Sequence, residues 1–163
     1  MRSARATASI DAPLSRAWEL LLDMSRYPEW NPFIFKVDEI SGPLAVGTDF
    51  KLHVRWQDGS GVATSREQVT VLEPPAAGAD GRIRAVFSYR YIDLLARMGL
   101  LRAERTHILT QSPGGPVFYE TQDDFAGLMS PFIPVARVQQ GFEAQTQAMR
   151  ATLENEARSK AVS

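Results

Sequence analysis

The chain has 163 residues, 44% of them apolar and 23% charged, the balance of one ordinary globular domain. Its 18 Lys and Arg against 19 Asp and Glu leave a formal charge of −1, without the basic footprint that nucleic acid or an anionic membrane demands. Cysteine is absent, which excludes disulfides, thiolate metal sites, iron–sulfur clusters and a catalytic thiol.

Residues 1–163 read as a single domain, with no repeat and no linker. The opening MRSARATASIDAP lacks the apolar stretch of an export signal, and no apolar run approaches membrane-spanning length. A cytoplasmic protein without membrane insertion is the expectation. In chain order, ARATASI (4–10) predicts a first strand. Asp11 is placed to cap a helix over 13–22, where Leu14, Trp18 and Leu21 recur at helical spacing. MSRYPEWNPF then makes a helical turn that leaves into extended chain, because the residue before a proline is pushed out of the α region. Strands follow at 34–40, 48–56, 62–72 and 81–90. Phe50, Leu52, Val54 and Trp56 share one face of the second of these, and Ile83, Ala85, Phe87 and Tyr89 one face of the last. Segments 101–110 and 117–126 flank SPGGP and predict a final hairpin. Ser130 as N-cap and Pro131 in the first turn open a long helix over 130–158, about 40 Å at 1.5 Å per residue. Val135, Val138, Phe142, Thr146, Met149 and Leu153 form its apolar stripe. Together these elements make an α+β chain, an antiparallel sheet with helices on one face.

The block IDAPLSRAWELLLDMSRYPEWNPF, followed in the right order by LLRAERTHILT, TQDDFAGLMSPFIP and GFEAQTQAMRATLENEA, resembles the polyketide cyclase/dehydrase and lipid-transport proteins of the SRPBCC, or START-like, superfamily. The likeness runs along nearly the whole chain. It implies the helix-grip fold: a curved antiparallel sheet wrapped around a long C-terminal helix, two short helices after the first strand, and a hydrophobic cavity between sheet and helix. Members of that superfamily share a cavity rather than a set of catalytic residues, so the fold does not assign an activity.

In such a fold the inward strand faces become cavity lining. Leu52, Val54, Trp56, Phe87 and Tyr89 are then candidate ligand contacts, joined by Phe142, Thr146 and Met149 from the helix. Trp30 and Phe33 of YPEWNPF either line the same wall or plug the corner between helices and sheet. His53 and His107 form no i, i+4 pair and have no thiol beside them, so neither a metal site nor a cofactor is expected.

The final hairpin carries the chemistry. A tip at Gly114-Gly115 sets Arg105 opposite Asp124, His107 opposite Gln122 and Leu109 opposite Glu120, all on one side of the sheet. On the concave side, His107 is the candidate general acid or base, Arg105 a stabiliser of an enolate, and Asp124 or Glu120 the group that orients them. On the outer side the same residues are solvated cross-strand pairs, which is the plainer expectation. YRYIDLLARMGLL (89–101) places Ile92, Leu95 and Met98 at helical spacing, as a lid over the mouth or a contact in an oligomer such as a homodimer. The leading expectation is a protein that binds a small, largely hydrophobic molecule. A polyketide cyclase or dehydratase-like enzyme and a ligand-free chaperone- or complex-associated module are the alternatives.

Overall fold

The computed structural model describes residues 2–163. Alternation of inward apolar and outward polar residues builds seven strands: β1 (Arg2–Ile10), β2 (Ile34–Asp38), β3 (Asp49–Arg55), β4 (Val62–Ala77), β5 (Ile83–Tyr91), β6 (Arg102–Gln111) and β7 (Val117–Ala126). They form one antiparallel sheet in the order β1-β7-β6-β5-β4-β3-β2. Register breaks between Val69 and Val71 and between Glu73 and Ala76 put bulges in β4, where an extra residue bends the strand. The long helix α4 (Val135–Val162) lies in the resulting trough, and its buried stripe is Val138, Gly141, Phe142, Gln145, Thr146, Met149 and Leu153. The helices α1 (Leu14–Leu22) and α2 (Tyr27–Trp30) follow β1, and the single turn α3 (Leu94–Arg97) links β5 to β6. This is the helix-grip arrangement.

Small residues decide where helix and sheet meet. β1 turns Ala4, Ala6, Ala8 and Ile10 inward. Its outer edge is closed by α4, whose Gln139 side chain accepts from the Arg5 N–H at 2.8 Å and donates to the Arg5 carbonyl at 2.6 Å. An edge strand is thereby denied to other chains. Gly141 faces the ring of Phe33, and a Cβ there would stand 2.3 Å from the ring carbons. Asn31 fixes the exit from the YPEWNPF corner, accepting from the Phe33 and Ile34 N–H groups at 3.0 and 2.9 Å.

Three local expectations are corrected. Asp11 does not cap α1, whose N-cap is Pro13 without a side-chain bond; the Asp11 N–H instead reaches Glu154 of α4 at 3.1 Å. The long helix does not open at Ser130. Ser130–Phe132 is one 3₁₀ turn, Ile133 is extended at φ −71 and ψ 128 as the residue before a proline must be, and the α-helix starts after Pro134. The Arg2 guanidinium caps that turn, donating to the carbonyls of Ser130, Pro131 and Ile133 at 2.8, 3.0 and 3.0 Å.

The third correction concerns the hairpin. Gln111 pairs with Val117, so five residues form the loop, centred on Gly114 at φ +72. An odd loop shifts the pairing by one: Arg105 lies opposite Asp123, His107 opposite Thr121 and Leu109 opposite Tyr119. In a strand one residue of slip moves every side chain to the other face. Asp124, Gln122 and Glu120 therefore sit on the outer face, where Glu120 pairs with Arg5 and Asp124 accepts from Gln122 at 2.8 Å.

Candidate functional site

Between the sheet and the N-terminal half of α4 lies a cavity of about 280 Å³. Its wall is mainly apolar: Phe33 and Ile34 from the corner, Leu52 and Val54 from β3 with Trp56 just after it, Ala63 from β4, Leu95 from α3, Leu101, Ala103, Phe125, Ile133, and Val138 and Phe142 from the helix. A polar row crosses it where Tyr89, Arg105 and Asp123 stand side by side on β5, β6 and β7, with Glu67 of β4 opposite Tyr91, two residues farther along β5. A wider hollow of about 690 Å³ on the outer face, beside α3, is lined by Arg90, Arg97, Arg102, Glu104 and Asp124, all solvated or half-solvated side chains. Of the two, the inner cavity is the one that brings buried polar groups together with a largely apolar wall.

The candidate ligand contacts divide. Phe33, Leu52, Val54, Trp56, Tyr89 and Phe142 line the cavity. Phe87, Thr146 and Met149 do not; they are buried in the core deeper along the trough. Trp30 does not line it either. It packs edge-on to Tyr27 at 5.3 Å, and the Tyr27 hydroxyl donates to the Leu21 carbonyl at 2.5 Å, so these two rings plug the corner. Phe33 alone turns past that corner, 6.0 Å from Phe142 and 6.1 Å from Trp56.

Arg105 is the centre of the polar row and is only 4% exposed. Its Nε donates to Thr121 Oγ1 at 2.9 Å, Nη1 to Tyr89 Oη at 3.3 Å and Nη2 to Gln145 Oε1 at 3.1 Å. The guanidinium carbon stands 3.8 Å above the Phe142 ring, a cation–π contact made away from water. No carboxylate oxygen among the described residues reaches it within ion-pair distance. The two carboxyls on the cavity wall are displaced upward: burial lifts Glu67 to about 8, offset by the hydrogen bond from Ser65, and burial lifts Asp123 to about 7 against the pull of Arg105. Asp123 is half-buried as a residue, yet its Oδ1 is shut from solvent without a partner.

His107 faces inward, against the plainer expectation for this strand, but it does not touch the cavity. It is 1% exposed and stacked between Phe87 and Tyr119, with ring centroids at 5.8 and 6.0 Å. Nδ1 lies 2.8 Å from the Tyr119 hydroxyl and Nε2 3.4 Å from that of Tyr89. Burial, then the charge of Arg105, pushes its pKa well below the ordinary value, so the ring is neutral near pH 7. Burial lifts the Tyr89 and Tyr119 phenols above their ordinary values. The candidate constellation of His107, Arg105, Asp124 and Glu120 thus loses both carboxylates to the outer face, and Asp123 and Glu67 stand in the cavity instead.

Glu67, Asp123, Gln145, Thr121 and Tyr119 escaped the reading of the sequence. Gln145 had a visible signal, a polar residue in the 138–142–145–149 helical stripe. Glu67 had another, falling in step with Ala63, Ser65 and Val69 on the inward side of β4. Among the described residues no cluster of metal-ligating side chains occurs.

Comparison with known proteins places this architecture. Among curated proteins no sequence matches the chain. In fold it is similar to the Zhui aromatase/cyclase from a Streptomyces species, with a TM-score of 0.72 at 17% identity over 96% of this chain and 95% of that one. It is also similar to a major latex-like protein of Panax ginseng, with a TM-score of 0.68 at 11% identity over 93% of this chain and 97% of that one. A norcoclaurine synthase point mutant from Thalictrum, in complex with a transition-state analogue, scores 0.64 at 11% identity, covering 96% of each chain. Such identities establish the fold and nothing finer. The family model described as polyketide cyclase / dehydrase and lipid transport matches residues 1–158, and the chain belongs to that family.

Proposed function

We propose that the protein binds a small, largely hydrophobic molecule in the cavity between sheet and α4, with one polar group of that molecule held at the Tyr89–Arg105–Asp123 row. The observation that carries this reading is a cavity of about 280 Å³ whose largely apolar wall converges on a buried cation. The volume sits just below the roughly 300–1,000 Å³ of ordinary ligand pockets, which favours a ligand of one or two rings. Apolar burial supplies the affinity and the polar row the orientation. The test is native mass spectrometry of protein purified from its own host. A stoichiometric adduct of a few hundred daltons, lost on denaturation, is the expected result; repeated isolation of the bare chain argues against the reading.

A second reading, a cyclase or dehydratase acting on a polyketide-like or aromatic substrate, is favoured by one observation. Tyr89 lines the cavity, and its hydroxyl stands 3.3 Å from Arg105 Nη1 and 3.4 Å from His107 Nε2. A proton passing between substrate and His107 would travel through that hydroxyl, and Arg105 would stabilise an enolate. His107→Ala would then abolish turnover while leaving binding of an apolar probe unchanged. Turnover that survives the change removes His107 from the chemistry.

A further inference from the structure

Arg105 is a buried cation without a counter-ion. Its neighbours Thr121, Tyr89 and Gln145 are neutral acceptors and take three of its five N–H groups. The two N–H groups left, one on each terminal nitrogen, have no acceptor among the described residues. Guanidinium does not deprotonate in proteins, and buried charges are ordinarily paired. The cavity wall offers two carboxyls that could pair it, but neither touches it. The groups facing Glu67 are Ser65, which hydrogen-bonds it at 2.8 Å, and the charges of Asp93, Asp123 and Arg105; those facing Asp123 are Arg105, Asp124 and Glu104. His107, behind Arg105, is neutral and adds no charge.

We infer that the cavity selects a carboxylate-bearing apolar molecule, whose anion lies against the two free N–H groups of Arg105 and supplies the missing counter-charge. This rests on the ligand-binding reading above and names the chemical class of its ligand. Two parts of the site agree with it. Phe142 covers one face of the guanidinium, which closes that side to an incoming anion. Burial keeps the Glu67 carboxyl largely protonated, and that of Asp123 about half protonated, near pH 7, so they do not satisfy Arg105 and can donate to an incoming anion. As pH rises past these values both carboxyls ionise, oppose a second anion and neutralise Arg105 from within. Preference for the anion is therefore expected to fade above about pH 8.

Three probes of one shape separate the possibilities: naphthalene-2-carboxylate, 2-naphthamide and 2-(aminomethyl)naphthalene, carrying negative, zero and positive charge. Calorimetric titration of the wild-type protein at about pH 6 is expected to show the carboxylate binding about ten-fold or more tighter than the amide, the factor given by one charge-assisted hydrogen bond. The amine binds most weakly. Arg105→Gln should erase the order, because the carboxylate loses more affinity than the amide does. Should that variant fail to fold, two measurements stand in its place. In the wild type the carboxylate's advantage shrinks between about pH 6 and pH 9 while amide affinity holds, and in Glu67→Gln more of that advantage persists at about pH 9. Equal binding of all three probes, or tightest binding of the amine, overturns the inference and leaves the apolar cavity standing. Binding of none overturns the ligand reading together with it.

Discussion

The trough that holds α4 has two halves, and they are packed differently. In the half toward Leu109, Val117 and Met149, large side chains fill the space between sheet and helix: Ile10, Leu21, Phe87, Leu109, Met149 and Leu153 are all fully buried. In the half toward Ala103, Phe125 and Val138 the inward positions of β4 and β6 carry Ala63, Ser65 and Ala103, and the space stays open. The polar row of Tyr89, Arg105 and Asp123 lies across the boundary. Both halves belong to the same strands and the same helix. Small residues at the inward positions of β4 and β6 mark the open half.

The largest expected contrast uses one substitution in each half. Leu109→Ala leaves a void that its neighbours cannot fill and should cost about 4–5 kcal/mol, the upper part of the Leu→Ala range. Leu52→Ala widens a space that already exists and should cost about 2–3 kcal/mol. Urea unfolding of both variants measures the gap, and equal losses would erase the distinction between the halves. Gly141→Ala probes the point where helix backbone meets cavity wall. Its Cβ would overlap the Phe33 ring, so the ring must swing into the cavity at an overpacking cost of about 1–3 kcal/mol, against about 1 kcal/mol gained in helix propensity. Stability should fall slightly and an apolar probe should bind more weakly; unchanged binding would mean that Phe33 moves elsewhere.

Smaller still is the pH effect in the open half. A carboxyl raised by burial takes up its proton more readily in the fold than in the unfolded chain. Its stabilising share is thus complete below the ordinary carboxyl range, near pH 4, and is lost as pH climbs through about 8 for Glu67 and about 7 for Asp123. Buried His107 acts in the opposite sense, since its folded value is depressed and stability is lost as pH falls below about 6.5. Glu67→Gln should raise Tm at about pH 8, by about 2–4 °C for each kcal/mol released, and leave it nearly unchanged at about pH 4. A gain of equal size at both values would point to packing in place of charge.

Much of this architecture was legible in the chain, because strand alternation and the 3–4 spacing of the α4 stripe are local signals. The cavity's chemistry was less so. Arg105 and His107 could be picked out, but their partners depended on whether the loop after Gln111 holds an even or an odd number of residues. SPGGP is compatible with either, and one residue exchanged Asp123 for Asp124. The extent of the cavity was hidden for another reason. Phe87, Thr146 and Met149 carry the same inward pattern as Leu52, Val54 and Phe142, and only the packed arrangement separates filled space from empty.

The register has a test of its own, and it carries the smallest effect. Asp124→Asn and Glu120→Gln lie on the outer face and should change stability by about 0–1 kcal/mol, without altering probe affinity. Asp123→Asn should alter that affinity. The reverse pattern would restore the register with Asp124 in the cavity.

That the open half is a ligand site is tested most directly by titrating N-phenyl-1-naphthylamine into the wild-type protein and into Ala103→Phe, following its fluorescence. Ala103 lines the cavity, and a ring at that position occupies the space without displacing a filled core. The prediction is saturable one-to-one binding to the wild type and its loss in the variant, with Tm maintained. Absence of binding to the wild type, or equal binding to both, would contradict it.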